Sequence, residues 1–309
     1  MGDKISESIR IIMSWRTVII ANQAKLDYKM GYVVVRALDT KRVLIDEIAI
    51  LVIENPAVAL TGCLIEALIE KKVKVIFCDS KRNPTAELVP HHGSHDSSAK
   101  IRTQAAWESE VKGVIWQEII SEKIRKQADF LLHLKKEKEA ELIRSYIGQV
   151  ELADVTNREG HAAKVYFNAL FGMDFTRSEE SPINAALNYG YSLILSAFNR
   201  EISANGYLTQ LGIFHDNMFN HYNLGCDLME PFRIIVDIFV KNNNPTVFDK
   251  DEKHYMWRIL EEDVNIDGTI QKVSNAIKIY TRSIFEAIND KNPFVIKFYS
   301  LGSGSFYEL

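Results

Sequence analysis

Three separated segments of this chain carry residue types that could together bind a metal ion and act on a phosphate. The segments are 157–161, 212–215 and 227–233, and their candidate residues are Glu159, His215, Glu230 and, as an auxiliary, Asp227. Two carboxylates and one imidazole are a sufficient ligand shell for Mg²⁺ or Mn²⁺. A metal ion held in this way polarises a phosphate and orients a nucleophile, so the segments indicate phosphoryl chemistry.

Each candidate also has an ordinary structural explanation. Glu159 stands three residues after Thr156, and this spacing fits a capping box that would start a helix here. A lone histidine such as His215 is more often a hydrogen-bonded structural residue than a ligand, and His221 competes with it for a metal role. Beside two carboxylates, however, an imidazole has a raised pKa, which suits general acid–base work near neutral pH.

The two acids of the third segment allow two local arrangements. Asp227 and Glu230 would lie on one side of a helix that contained both, because they are three residues apart. Alternatively, Pro231 could be the first residue of a helix, with Glu230 as its N-cap. Both arrangements are compatible with a solvated acidic surface as well as with a metal site.

Basic residues near these segments are candidates for DNA contacts. Those in the same half of the chain are Arg158, His161, Lys164 and Arg177, and those nearer the start are Lys81 and Arg82. The forked guanidinium of arginine suits phosphate recognition. Each of these residues is equally well explained as a solvated surface charge. Three further side chains, those of Asn184, Asn188 and Tyr191, could line a DNA groove or hydrogen-bond between helices.

The elements that must position these residues change character along the chain. The runs 15–21, 31–36, 42–45, 48–53 and 73–78 predict short strands, and 60–71 has helical spacing. After residue 98 the apolar residues recur at helical intervals. We therefore expect an α+β chain, with a small N-terminal β-sandwich-like domain and a larger all-α catalytic domain.

A polar stretch marks the expected boundary between the two domains. We predict an N-terminal extension at 1–13, a β-rich domain at 14–90, a linker at 91–98 and a helical domain at 99–309. The histidines His91, His92 and His95 fall in this linker, and no cysteine or acid completes a zinc spacing around them. Residues 302–305 have linker composition and receive no function.

Composition excludes several classes of protein. The content of 47% hydrophobic and 25% charged residues is typical of a soluble globular chain, and the net charge of -4 does not by itself indicate a nucleic-acid binder. Cys63, Cys78 and Cys226 form no metal or disulfide pattern, which fits the cytoplasm, and the first two are expected to be buried. The sequence has no secretory signal and no apolar run long enough to span a membrane.

Several motifs in order resemble one family. They are Trp15-Arg16-Thr17-Val18, the run 75–79, the junction 95–98, Asn-Arg-Glu-Gly-His at 157–161, 166–172, 174–177, 184–191 and Asp-Leu-Met-Glu-Pro-Phe-Arg at 227–233. Together they resemble the integrase/endonuclease of CRISPR spacer acquisition, the universal adaptation subunit, most closely its type II-A branch. The likeness spans roughly residues 14–290. The sequence departs from the family at Phe214 and at Asn223-Leu224-Gly225, where the glycine suggests a looser backbone.

The resemblance implies how the protein would be assembled and which residues would act. It implies a β domain used for dimerisation, a helical domain with the active site, and metal ligands at Glu159, His215 and Glu230. It also implies a homodimer, two of which flank a dimer of a small ferredoxin-fold adaptation protein on double-stranded prespacer DNA and the CRISPR repeat. Other type II-A adaptation proteins are further expected partners.

The expected function is a metal-dependent DNA integrase and endonuclease of CRISPR adaptation. A 3′ hydroxyl of the prespacer would attack a phosphodiester of the repeat, with Mg²⁺ or Mn²⁺ as cofactor. Two alternatives use the same residues differently. One is a metal-dependent nuclease on branched or single-stranded nucleic acid, and the other is a catalytically idle DNA-binding scaffold.

Overall fold

The protein, as a computed structural model, is described for residues 17–88, 94–151 and 156–301. It divides into two compact units between His91 and His92. The predicted linker 91–98 spans this division, although a helix already begins within it at Ser97. The N-terminal extension at 1–13, the motif residues Trp15 and Arg16, the histidines His91 and His92 and the tail from residue 302 lie outside the described residues.

In the described residues, the first unit contains two four-stranded sheets, one α-helix and a short 3₁₀ helix, Ile45–Glu47. Its elements are β1 (Thr17–Ile20), β2 (Lys25–Lys29), β3 (Tyr32–Arg36), β4 (Thr40–Leu44), β5 (Ile50–Ile53), β6 (Ala59–Leu60), α1 (Gly62–Glu70), β7 (Lys74–Cys78) and β8 (Pro84–Leu88). One sheet has the order β1-β5-β7-β8, and the other has the order β4-β3-β2-β6. Strands β1, β5 and β7 are parallel and apolar on both faces, as expected of buried parallel strands.

Both sheets and α1 contribute to one apolar core, which includes Ile20, Leu26, Val35, Leu51 and Leu64. The predicted strands are present. Strands β2, β6 and β8 were not predicted, although β2 has the alternating apolar and charged residues of a half-buried strand. Strands β2 and β3 are joined by the two-residue turn Met30-Gly31, and both turn residues have positive φ, as a tight hairpin requires. The expectation that Cys63 is buried was wrong, because this thiol is exposed in α1, whereas Cys78 is buried.

The second unit is mainly helical. Its helices are α2 (Ser97–Ala105), α3 (Ser109–His133), α4 (Glu137–Ile147), α5 (Arg158–Phe171), α6 (Pro182–Ala204), α7 (Asn223–Leu228), α8 (Arg233–Asn243), α9 (Lys250–Met256) and α10 (Val273–Asn289). A small sheet, absent from the sequence prediction, joins β9 (Asp263–Ile266), β10 (Thr269–Lys272) and β11 (Ser300–Leu301). The α+β class, with a β region followed by a helical unit, is confirmed.

Helix α3 lies at the centre of the helical unit, and its apolar stripe includes Trp116, Ile119, Ile120 and Ile124, all almost fully buried. It packs against α4, α5, α8 and α10. In the part of the chain that is described, none of the helices has the length and apolarity needed to cross a membrane.

Candidate active site

Glu159 lies in the first turn of α5, but the predicted capping box is not formed. Asn157 is the N-cap, its φ of 52° is left-handed, and no side chain caps the helix. Thr156 donates its hydroxyl to the carbonyl of Gln149 instead. Because Glu159 does not reach back to the cap, its carboxylate is available to a distant partner, and Oε1 lies 2.5 Å from the Nζ atom of Lys123.

Asp227 in α7 binds the loop that carries His215. Its carboxylate is fully buried and accepts three consecutive amides, from Ile213 at 2.6 Å, Phe214 at 2.9 Å and His215 at 3.1 Å. It also lies 2.5 Å from Nδ1 of the His215 ring. The Nδ1–H form is favoured by this contact, which leaves Nε2 as the nitrogen that can bind a metal or accept a proton.

The ring of His215 is also positioned by aromatic neighbours. Phe214 stacks on the buried indole of Trp116 with ring centroids 4.5 Å apart and an interplanar angle of 5°. The His215 ring meets the same indole edge-on at 5.8 Å. Since Trp116 belongs to α3, this contact ties the 212–215 loop to the central helix.

Glu230 lies in a short 3₁₀ turn, Glu230–Phe232, between α7 and α8. Neither predicted arrangement is therefore correct, since Asp227 and Glu230 share no helix and Glu230 is not the N-cap of α8. Phe232 is fully buried and anchors the turn. Glu230 is almost fully buried, and Arg233 donates Nε–H to its Oε1 at 2.8 Å.

Lys123 in α3 joins the two candidate carboxylates. Its Nζ atom lies 2.5 Å from Glu159 Oε1 and 2.5 Å from Glu230 Oε2, and its side chain is 9% exposed. Sequence reasoning missed this residue. The signal was present, because Lys123 stands four residues after Ile119 and seven after Trp116, on the apolar stripe of α3. A charged residue on a buried helical face requires a partner.

The electrostatics of the site follow from these contacts. Burial alone would raise the pKa of Glu230, but Arg233 and Lys123 outweigh burial and hold its pKa at about 2. Burial likewise lowers the pKa of Lys123, yet Glu230 and Glu159 raise it above its usual value. The pKa of His215 is raised, chiefly by its hydrogen bond with Asp227, with smaller contributions from Glu230 and Glu159. These two carboxylates are therefore close enough to act on the imidazole.

The donor set fits a divalent cation in chemistry. Two carboxylates converge on the ammonium group of Lys123, which occupies the position that a metal ion would take. The oriented imidazole of His215 is close enough for both carboxylates to raise its pKa. Within residues 17–88, 94–151 and 156–301, no three His, Cys, Asp or Glu side chains are yet close enough to hold a metal ion. The ligands would have to rearrange locally, and Lys123 stands at the place where they would meet.

The predicted DNA-contact residues have different environments. His161 and Lys164 are exposed on α5, two and five residues after Glu159. Arg158 lies over the ring of Tyr146, 5.7 Å from its centroid. In the first unit Lys81 is exposed, but Arg82 is paired with the fully buried carboxylate of Glu54. This ion pair gives Arg82 a structural role in its own unit.

Arg177 is held by the three residues that were predicted to line a groove or to link helices. It donates to Asn184 at 2.5 Å and Asn188 at 2.6 Å, and its guanidinium lies over the ring of Tyr191 at 5.4 Å. Tyr191 in turn donates its hydroxyl to the buried carboxylate of Asp237. Burial raises the pKa of Asp237 to about 6, although the hydrogen bond from Tyr191 opposes this. The predicted interhelix hydrogen bond is therefore formed by Tyr191, between α6 and α8, whereas Asn184 and Asn188 bind Arg177 in the loop that precedes α6.

Gly225 stands where the sequence departs from the family, and we expected it to loosen the backbone. The structure shows tight packing at this position instead. It lies within α7, close to α6, and a Cβ atom placed on it would be 2.3 Å from Asn199 Oδ1 and 2.8 Å from Leu195 Cδ1. The glycine therefore allows close packing of α7 against α6. This packing fixes the helix that carries Asp227.

Comparison with known proteins gives consistent likenesses. A family model described as CRISPR associated protein Cas1 matches residues 17–256. The CRISPR-associated endonuclease Cas1 of Neisseria meningitidis serogroup C (strain 8013) is 30% identical over 286 residues, which cover 91% of this chain and 94% of that protein. Because the match covers 91% of this chain, the sequence likeness extends over both units.

Two solved structures resemble the fold. A casposase bound to an integration product has a TM-score of 0.72 at 18% identity and covers 90% of this chain and 91% of that one. A chain of a Cas6-RT-Cas1–Cas2 complex has a TM-score of 0.70 at 15% identity, covering 97% of this chain and 37% of that one. This chain thus spans just over a third of that longer one, and at these identities both likenesses concern the fold.

Proposed function

This chain belongs to the family of CRISPR-associated protein Cas1, and we propose that it is a metal-dependent integrase and endonuclease that inserts prespacer DNA into a CRISPR repeat. The observation that carries the proposal is the convergence of Glu159 and Glu230 on one cationic position, beside an imidazole oriented by Asp227. The family relative from Neisseria is named an endonuclease, and the casposase structure holds an integration product. Both names are compatible with transfer of a DNA 3′ end.

The proposed reaction is a transesterification. A 3′ hydroxyl oxygen forms a new bond to a phosphorus atom of the repeat, while the bond from that phosphorus to its original 3′ oxygen breaks. The number of phosphodiesters is unchanged, so no nucleoside triphosphate is needed as an energy source. With water as the nucleophile, the same displacement is a hydrolysis and gives nuclease activity.

The residues of this chain have distinct proposed roles. Glu159, Glu230 and Nε2 of His215 would hold Mg²⁺ or Mn²⁺. The bound ion would polarise the phosphate and help to orient the attacking oxygen. Asp227 positions the imidazole, and Arg233 keeps Glu230 ionised. Before a metal is bound, His215 is instead able to accept a proton at Nε2.

The proposals for DNA and protein partners rest on fewer observations than the proposal for the metal ligands. We propose that the exposed His161 and Lys164, on the same helix as Glu159, contact phosphates, together with Arg158 and Arg177. Lys81 and Arg82 are proposed as DNA contacts from their place near the domain junction, and the support is weaker because Arg82 is engaged by Glu54. A homodimer, a small ferredoxin-fold partner and a cytoplasmic location remain proposals from the family resemblance. One structural neighbour is a Cas6-RT-Cas1–Cas2 complex, which is compatible with such a partner.

The type II-A assignment is also a proposal. The relative from Neisseria meningitidis covers nearly all of both chains, and its name states no subtype. The set of genes beside the array in the source genome would test the assignment. A type II-A effector and its additional adaptation proteins would support it, and another set of effector genes would refute it.

The experiment that tests the function is strand transfer from a labelled 3′-hydroxyl duplex into a supercoiled plasmid carrying a repeat, with Mg²⁺ or Mn²⁺, and with or without the small partner. We expect joined products that EDTA abolishes and that Glu230→Gln and Glu159→Gln reduce by at least about 100-fold. Glu122→Gln is the matched control, because Glu122 is a buried acid of α3 that pairs with Arg125 and Lys126 and has no ion pair or hydrogen bond with any of the three candidate ligands.

The products distinguish the alternatives. Metal-dependent nicking without joining would replace the integrase with a nuclease. Duplex binding without either product would indicate a DNA-binding scaffold. Full strand transfer by Glu230→Gln would refute the assignment of the ligands.

A further inference from the structure

The ammonium of Lys123 occupies the point on which both candidate carboxylates converge. One Nζ atom lies 2.5 Å from an oxygen of Glu159 and 2.5 Å from an oxygen of Glu230. If these two residues are metal ligands, the same point is where their shared cation would be bound. An ammonium group and a divalent ion cannot both occupy it.

We propose that Lys123 is a resident counter-ion of this carboxylate pair and that it must release at least one carboxylate before a divalent cation can bind. Lys123 thereby sets the metal affinity of the site. This inference rests on the ligands assigned in the proposed function. The proposed ligands promote metal binding, whereas Lys123 weakens it.

The surroundings of the two carboxylates make this release feasible. Glu230 is 4% exposed and keeps a second cation, because Arg233 donates to its other carboxylate oxygen at 2.8 Å. Glu159 has a side chain that is 30% exposed, so water can solvate it when Lys123 moves away. The flexible four-carbon stem of lysine allows its ammonium to move without movement of α3.

The charge balance predicts the direction of the effect. Two carboxylates, Lys123 and Arg233 together are neutral, so a divalent ion would bring an excess of positive charge into a largely buried place. With methionine in place of Lys123 the same group carries one negative charge. Loss of the competing ammonium and the gain of negative charge both favour tighter metal binding.

A purely structural lysine would have the opposite effect. If Lys123 instead holds the two carboxylates at the right separation for a metal, its removal would let them move apart. Metal binding would then weaken. The sign of the change in affinity therefore separates the two roles.

The test is a titration of the metal-free full-length chain with Mn²⁺. Binding is measured from the electron paramagnetic resonance signal of free Mn²⁺ and by calorimetry. We expect Lys123→Met to bind Mn²⁺ at least about tenfold more tightly than the wild type, and to show a larger rise in melting temperature on adding Mn²⁺. Lys126→Met is the matched control, because Lys126 is a buried lysine of the same helix that pairs with Glu122. Its Mn²⁺ affinity should equal that of the wild type.

A second variant keeps the test valid if Lys123→Met fails to fold. Lys123→Arg retains a permanent charge and offers a forked donor to both carboxylates, so its Mn²⁺ affinity should be no higher than that of the wild type. Tighter binding by Lys123→Arg, or equal or weaker binding by folded Lys123→Met, would overturn the inference.

Glu230→Gln separates failure of this inference from failure of the proposed function. Equal Mn²⁺ binding by Glu230→Gln and the wild type would mean that the ligand assignment itself is wrong. Loss of binding in Glu230→Gln, without a gain in Lys123→Met, would leave the site assignment standing and remove only the role of Lys123.

Discussion

Replacing Asp227 with asparagine should destabilise the helical unit and release His215 from its orientation. The buried carboxylate holds three backbone amides of the 213–215 loop and the Nδ1 position of the imidazole. Asparagine has one acceptor oxygen where Asp227 has two. It can retain the two bonds on Oδ2 or those on Oδ1, and its amide NH₂ then faces the other N–H donors.

The magnitude follows from the bonds that are lost. A hydrogen bond to a charged acceptor contributes about 1.5–3 kcal/mol, and two are lost. Because His215 is 41% exposed and water can reach part of the loop, we take the lower end and expect a loss of about 3 kcal/mol in the free energy of unfolding. For a unit of this size this corresponds to a melting temperature lower by about 6–12 °C.

The assay combines thermal unfolding with an NMR titration of His215 in the metal-free protein. The pKa of His215 is raised chiefly by its hydrogen bond with Asp227, so in Asp227→Asn it should move down towards 6.5. Asp216→Asn is the control, because Asp216 is exposed in the same loop. A melting temperature within about 2 °C of the wild type, with an unchanged pKa of His215, would refute this account of Asp227.

Three further substitutions test other contacts. Gly225→Ala forces a methyl group against Asn199 and should cost about 1–3 kcal/mol in urea unfolding; an unchanged midpoint would mean that α7 and α6 can separate freely. Asp237 has a folded-state pKa of about 6 against an ordinary 3.8, so its ionisation opposes folding as pH rises through this window. The stability of Asp237→Asn relative to the wild type should therefore increase by about 2 kcal/mol from pH 4 to pH 7, and a constant difference would contradict the raised pKa. Arg82→Met leaves the buried Glu54 without its arginine and should cost about 3 kcal/mol, whereas loss of DNA binding at unchanged stability would support a DNA contact.

Local sequence patterns were sufficient for most of the elements, although not for the small sheet β9–β11, and they did not reveal the partners of the charged residues. The apolar runs of the first unit predicted strands because buried parallel strands must be apolar on both faces. The change to helical spacing after residue 98 predicted the second unit. Helix α5 was predicted to begin near Glu159, and it does begin at Arg158.

The details that failed depend on contacts between residues distant in sequence. The capping box at Thr156 was a sound local pattern, but Lys123, 36 residues earlier, competes for Glu159. The contact between Lys123 and Glu230 spans 107 residues. Gly225 suggested flexibility because a glycine has few local constraints, whereas its actual constraint is the side chain of Asn199. No spacing rule within one segment contains this information.

The buried charges of α3 also fix where this helix can sit along its own axis. Within little more than one turn, Glu122, Lys123 and Lys126 are buried among apolar residues and paired, Lys126 with Glu122 and with the carbonyl of Tyr299. A slide by one turn would offer Ile119 or Gln127 to the carboxylates and leave ions without partners, at a cost of about 3–5 kcal/mol for each broken pair. Apolar packing already disfavours a shift, and the paired charges add a penalty for every alignment of α3 except the observed one. The charges that surround the candidate site thus also specify the fold that contains it.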